Sequence, residues 1–168
     1  MLNKLTLLGI VVSLAVLLSA CGFRLRGPVE LPDALQDTYI ESQNPYTGMA
    51  RALRTQIERA GARVVEDKRQ ASAVLTVVRE RTENRVLSVG SSGKATEYEL
   101  FDEVVFSLSD SKGQRLVKPQ TLRTTRDLVF DQNELLGKLS EAESIHRQMR
   151  DSLARQVLMR IRAAMGSS

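Results

Sequence analysis

Hydrophobic and polar positions along this 168-residue chain follow two periods, and the changes of period predict its elements. Gln36 to Ser42, with Tyr39 and Ile40, predicts a short strand. Met49, Leu53, Ile57 and Ala60 then recur at helical spacing, with Arg51, Arg54 and Arg59 on the other faces. Asn44 is the expected N-cap, Pro45 the first helical position and Gly61 the left-handed stop. Strand, helix and strand in succession predict a right-handed crossover onto a sheet.

The middle of the chain changes to period two. Ala73 to Val89 and Ala95 to Ser109 predict two long strands joined by Gly90-Ser91-Ser92-Gly93-Lys94, whose glycines allow the positive φ angles of a hairpin turn. A turn centred on Ser91 and Ser92 sets Leu75 opposite Leu108 and Val77 opposite Phe106. It also sets Arg81 opposite Asp102 and Arg85 opposite Tyr98. Apolar pairs therefore occupy the base of the hairpin and polar pairs its tip. Strands of about 14 residues run roughly 45 Å, so the tip is expected to protrude.

Asp110-Ser111-Lys112-Gly113 has turn chemistry, and Gln120 to Asp131 alternates as a further antiparallel strand. Asn133 to Ser140 predicts a loop or short helical turn carrying Lys138. A terminal helix from Ser140 to Met165 follows, with Ser140 and Glu143 as a capping box. Its apolar stripe is Ile145, Met149, Leu153, Val157, Ile161 and Met165, and arginines crowd the rest. That stripe is as wide as a core-facing helix needs, which favours packing on the sheet over lying on an anionic membrane. The expected fold is an α/β two-layer sandwich: two helices on one face of a four-stranded, mixed but largely antiparallel sheet with a long protruding hairpin.

The first 20 residues do not belong to that pattern. Lys4 precedes an apolar run from Leu5 to Leu17, and Leu18-Ser19-Ala20-Cys21 ends it, as in a secretory signal whose cleavage point abuts a cysteine. The run is short of the roughly 20 residues of a spanning helix. An ordinary signal would leave Cys21 unpaired in an oxidising compartment, because the chain has no second cysteine. The L-S-A-C box resembles the lipobox of bacterial lipoproteins. Residues 1–20 are then a cleaved signal, 21–35 a lipidated N-terminus and linker, and 36–168 a single domain. The lipid is an N-acyl and S-diacylglycerol group on Cys21, and several acyl chains anchor without a spanning helix. Gly22 after the cysteine favours the outer membrane, periplasmic side, by resemblance to bacterial sorting rules.

Composition narrows the function by exclusion. Net charge is +4 over the chain, a mild balance that does not call for nucleic acid, and absent tryptophan removes the best stacking platform. Gly90 to Lys94 lacks the glycine spacing and the Ser or Thr of a phosphate loop. His146 is the sole histidine and is expected at the surface. With Cys21 acylated, no metal cluster, cofactor or catalytic residue suggests itself, and an enzyme is the least supported class.

Cys21-Gly22-Phe23-Arg24-Leu25-Arg26-Gly27, the Met49 to Ala60 helix, Ala95-Thr96-Glu97-Tyr98 and the terminal helix together resemble the lipopolysaccharide-assembly lipoprotein family, LptE. The resemblance implies an outer-membrane lipoprotein that plugs the lumen of the LptD β-barrel and helps to place lipopolysaccharide in the outer leaflet. Partners implied are that barrel and lipopolysaccharide. The family fold, two helices against a four-stranded sheet, agrees with the pattern above. Relatives carry lipopolysaccharide-contacting cations on the hairpin tip and in the loop before the terminal helix. Aligned on Glu97-Tyr98, the tip position here is Ser91, a departure, with Gly90, Ser92 and Gly93 around it. Lys94 and Arg85 are the nearby cations able to substitute, and Lys138 matches the loop lysine. The alternative is a structural envelope lipoprotein that binds another acidic ligand or partner.

Overall fold

The computed structural model describes residues 31–46, 48–129 and 135–166. The signal, Cys21 and the Phe23 to Gly27 run lie outside the described residues. The elements are β1 (Asp37–Glu41), α1 (Gly48–Arg59), β2 (Arg63–Val65), β3 (Ala73–Val89), β4 (Ala95–Asp110), β5 (Arg115–Val129) and α2 (Leu135–Gly166). The sheet has five strands in the order β2-β1-β3-β4-β5, not four. The extra strand, β2, is three residues long and pairs parallel with β1 at the edge, too short to show a period of its own. β1 also runs parallel to β3, while β3, β4 and β5 are antiparallel.

Both helices cover one face. Leu53, Ile57, Leu153, Val157 and Ile161 meet Leu75, Val104, Phe106 and Leu108 in one apolar core. Leu31 and Leu35, in the stretch assigned to the linker, pack against the same core. The terminal helix does pack on the sheet, and it starts at Leu135, five residues before its expected cap. Ser140 and Glu143 are therefore interior, and Lys138 sits in the first turn of α2, the helical of the two expected alternatives. α1 starts at Gly48, so Asn44 and Pro45 form a turn ahead of it and Asn44 is not its N-cap. A distant side chain caps it instead: the Met49 N–H donates to both Glu80 carboxylate oxygens, at 3.0 and 3.1 Å. A carboxylate at the positive end of a helix satisfies an orphan donor and the macrodipole together.

The hairpin register is as expected at the base, with Leu75 opposite Leu108 and Val77 opposite Phe106. It then shifts by one. Arg79 pairs with Val105, so Arg81 lies opposite Glu103 rather than Asp102, and Arg85 opposite Glu99 rather than Tyr98. A bulge at Val78 causes this, since one extra residue on β3 exchanges the faces of everything beyond it. Without it Arg79, Arg81 and Arg85 would point at the helices; with it Glu80, Thr82 and Asn84 do. At the tip, Gly90 N–H donates to Lys94 O at 2.8 Å and Gly93 turns with φ +74°.

Candidate functional site

Beyond the level of Glu80, β3, β4 and β5 continue past α1 as an arm backed by the first half of α2. β5 accompanies the hairpin as far as Val129 opposite Glu97, so the arm is three-stranded almost to its tip. Its outer face is a ladder of charges around one ring. Phe101 is 6 % exposed beneath Arg85, whose guanidinium carbon lies 4.0 Å from the ring centroid, and Arg81, at 5.8 Å. Arg85 also pairs with Glu83 at 3.1 Å and Glu99 at 3.2 Å. Arg81 hydrogen-bonds Glu83, and this contact, with help from Arg85, holds the Glu83 carboxyl below the usual glutamate range. Glu103 is buried between Arg79, at 2.9 Å, and Arg123, at 3.7 Å. Each strand supplies alternate residues to this face, and the Val78 bulge brings the arginines onto it.

The inner face carries a small apolar cluster of Leu100, Leu128, Ala142 and Met149. Between it and the main core lies a polar layer. His146 Nδ1 is 3.1 Å from Asp102 Oδ1, and Nε2 is 2.8 Å from Asn84 Oδ1. His146 and Asp102 are both buried, so the expectation of a surface histidine is wrong. The signal that could have found it is spacing: His146 is four residues after Ala142 and three before Met149, within the buried arc. Asn84 reaches it because the bulge turns even-numbered residues of β3 inward. Asp102 Oδ2 is buried without a hydrogen-bond partner among the described residues.

A model of the LptE family, described as lipopolysaccharide-assembly, matches residues 35–161, which span α1, the whole sheet with its arm, and α2 as far as Ile161. The chain belongs to the LptE family. A relative from Photorhabdus laumondii, named LPS-assembly lipoprotein LptE, is 31 % identical over 92 % of this chain and 85 % of its own length. Among solved structures, lipoprotein B from Nitrosomonas europaea superposes with a TM-score of 0.66 at 31 % identity, covering 82 % of this chain and 88 % of that one. A minor lipoprotein from Acinetobacter baumannii has TM-score 0.64 at 23 % identity over 79 % of this chain and 94 % of its own, a likeness of fold.

On this LptE frame the expected contact residues are not brought together. Gly90, Ser91, Ser92 and Gly93 form the tip turn, with Ser91 and Ser92 exposed. Lys94 follows, exposed and without an ion pair among the described residues. Lys138 lies where α2 begins, its side chain 20 % exposed and its Nζ 2.8 Å from Glu141 Oε2. Arg85 is on the opposite face from α2, held by Glu83, Glu99 and Phe101. Among the described residues no group of three or more His, Cys, Asp or Glu is placed to hold a metal. None of their helices is long and apolar enough to cross a membrane.

Proposed function

We propose that this chain is an outer-membrane lipoprotein, anchored through lipid on Cys21, that plugs an LptD-type β-barrel and helps assemble lipopolysaccharide into the outer leaflet. The observation that carries the reading is the family match across the arm-bearing domain. The arm supports it: its strands continue well past what the main core covers, and its tip offers Lys94, exposed and without an ion pair among the described residues. Lipid A phosphates need such cations. Lys94 and Lys138 take the contact roles, Lys94 as the exposed cation after the tip turn and Lys138 as the cation where α2 begins. Arg85 already pairs with Glu83 and Glu99, so contact with a phosphate there uses only its remaining N–H donors.

Two measurements test this. Lys94→Glu with Lys138→Glu is expected to weaken lipopolysaccharide binding at physiological salt about tenfold, with an unchanged urea midpoint; unaltered affinity removes the charge-contact model. Pull-down of the acylated protein from outer membranes is expected to recover a β-barrel, with mass spectrometry locating the lipid on Cys21. Recovery of no barrel favours an envelope lipoprotein serving another acidic ligand.

A further inference from the structure

Besides its two outer edges, β2 and β5, the sheet leaves part of an inner strand bare among the described residues. β1 stops at Glu41, opposite Thr76, and among the described residues no strand pairs with that side of β3 beyond it. The chain leaves through Ser42, Gln43 and Asn44, which stand off from Val77 to Glu80 and Thr82 across a groove of about 380 Å³. From Arg79 to Val86, β3 keeps an unbroken register with β4, bounded by bulges on both sides. That is a regular edge of about 26 Å. Natural sheets usually blunt such edges, and this one does so elsewhere: β2 is three residues long, and β5 carries Pro119 between Lys118 and Gln120. β3 has no proline, and Val78, Val86, Leu87 and Val89 stand at least half exposed along or beside its bare run.

We propose that this edge is a strand-addition site, occupied by an extended segment of the barrel partner that takes the row above β1. The proposal rests on the plug reading given above. Charge selects the occupant's chemistry. On β3 itself Arg79, Arg81 and Arg85 face outward beside one carboxylate, Glu83, with side chains 63, 53 and 43 % exposed, while Glu103 and Glu99 on β4 pair with Arg79 and Arg85 from behind. Each guanidinium has five N–H donors, so the one or two carboxylates that each now meets leave donors for another. The incoming strand therefore carries Asp or Glu at alternate positions on that face, while its backbone supplies the affinity. A second copy of this chain is a poorer complement, because its own β3 brings one glutamate for three arginines.

Amide hydrogen exchange on the full mature protein, free and in complex with the barrel, tests the site. Alternate amides between Arg79 and Val86 are expected to exchange at least tenfold more slowly in the complex, together with an acidic, alternating segment of the barrel. An intact complex with unchanged exchange there overturns the proposal and leaves the plug reading standing. Protection that already rises with concentration in the free protein assigns the edge to a second copy and overturns it too. Failure to recover any complex overturns the plug reading and this site with it.

Discussion

The same three strands build two regions with different chemistry. In the lower half, β3, β4 and β5 are joined by β1 and β2 and roofed by both helices, and their inward residues merge into one apolar core. In the arm the hydrogen-bond ladder continues, but α1 begins only at the level of Glu80 and α2 is the sole cover. Inward positions there change from Val104 and Phe106 to Asp102 and Asn84. Strand length is thus set by backbone pairing, whereas local stability is set by what the helices bury. The arm is expected to open at a lower free energy than the base.

Truncation in the two regions should separate them most strongly. Leu153 is fully buried in the base, and Leu153→Ala is expected to cost about 3–5 kcal/mol and move the whole urea transition. Leu100 is as buried, but in a cluster of few members close to solvent. Leu100→Ala is expected to cost about 2–3 kcal/mol and to speed amide exchange in the arm before the base. Equal acceleration in both regions would show one cooperative unit and break the comparison.

The polar layer comes next. Removing the ring in His146→Ala strips the buried Asp102 carboxyl of its hydrogen-bond partner, a change expected to cost about 3 kcal/mol. Replacing both residues, Asp102→Leu with His146→Leu, is expected to restore most of that loss, since apolar pairs of similar volume often equal a buried polar pair. A double variant no more stable than His146→Ala would mean that the layer is held by shape rather than by its hydrogen bonds.

This contrast also separates what the sequence made legible from what it hid. Periodicity located the two helices, the long hairpin and its register at the base, because one buried face leaves a strict pattern. The bulge stayed hidden because Val77-Val78 reads as strand in either phase, and nothing local favours the slip. It is settled by distant partners: Glu80 must reach the α1 terminus and Asn84 must reach His146. The expected stripe on α2 followed Ile145, Met149 and Leu153. The buried arc also takes in Ala142, His146, Ala154 and Leu158, because α2 touches α1 as well as the sheet. Of the candidate site, the tip glycines and Lys94 lie where the pattern put them. Arg85 was not separable from them in sequence, since pairing across strands with Glu99 depends on the shifted register.

Smaller effects probe the junction between the regions. Glu80→Ala removes the carboxylate that accepts the Met49 N–H and is expected to cost about 1–2 kcal/mol, with Glu80→Gln milder because it keeps an acceptor oxygen. Gly48 has φ +54°, and a Cβ there would come within 2.7 Å of Glu80 Oε1. Gly48→Ala is therefore expected to lose a similar amount through backbone strain and displacement of the cap. If the two changes together cost no more than either alone in urea titrations, they act on one interaction.

The smallest expected effect lies beside the bare edge, where β1 ends. Lys68 Nζ is 2.6 Å from Glu41 Oε1, and this hydrogen bond is the main reason the Glu41 carboxyl sits below its ordinary value, burial opposing and Thr76 assisting. A carboxyl lowered on folding contributes stability that is present above its unfolded value and is lost as pH falls through the folded one. Because both side chains are about half exposed, the contribution is only a few tenths of a kcal/mol. Lys68→Met should therefore be slightly less stable than the parent at neutral pH and indistinguishable from it in acid. A difference that persists or grows in acid would show that Lys68 supports the β1 terminus through its aliphatic stem and not through its charge.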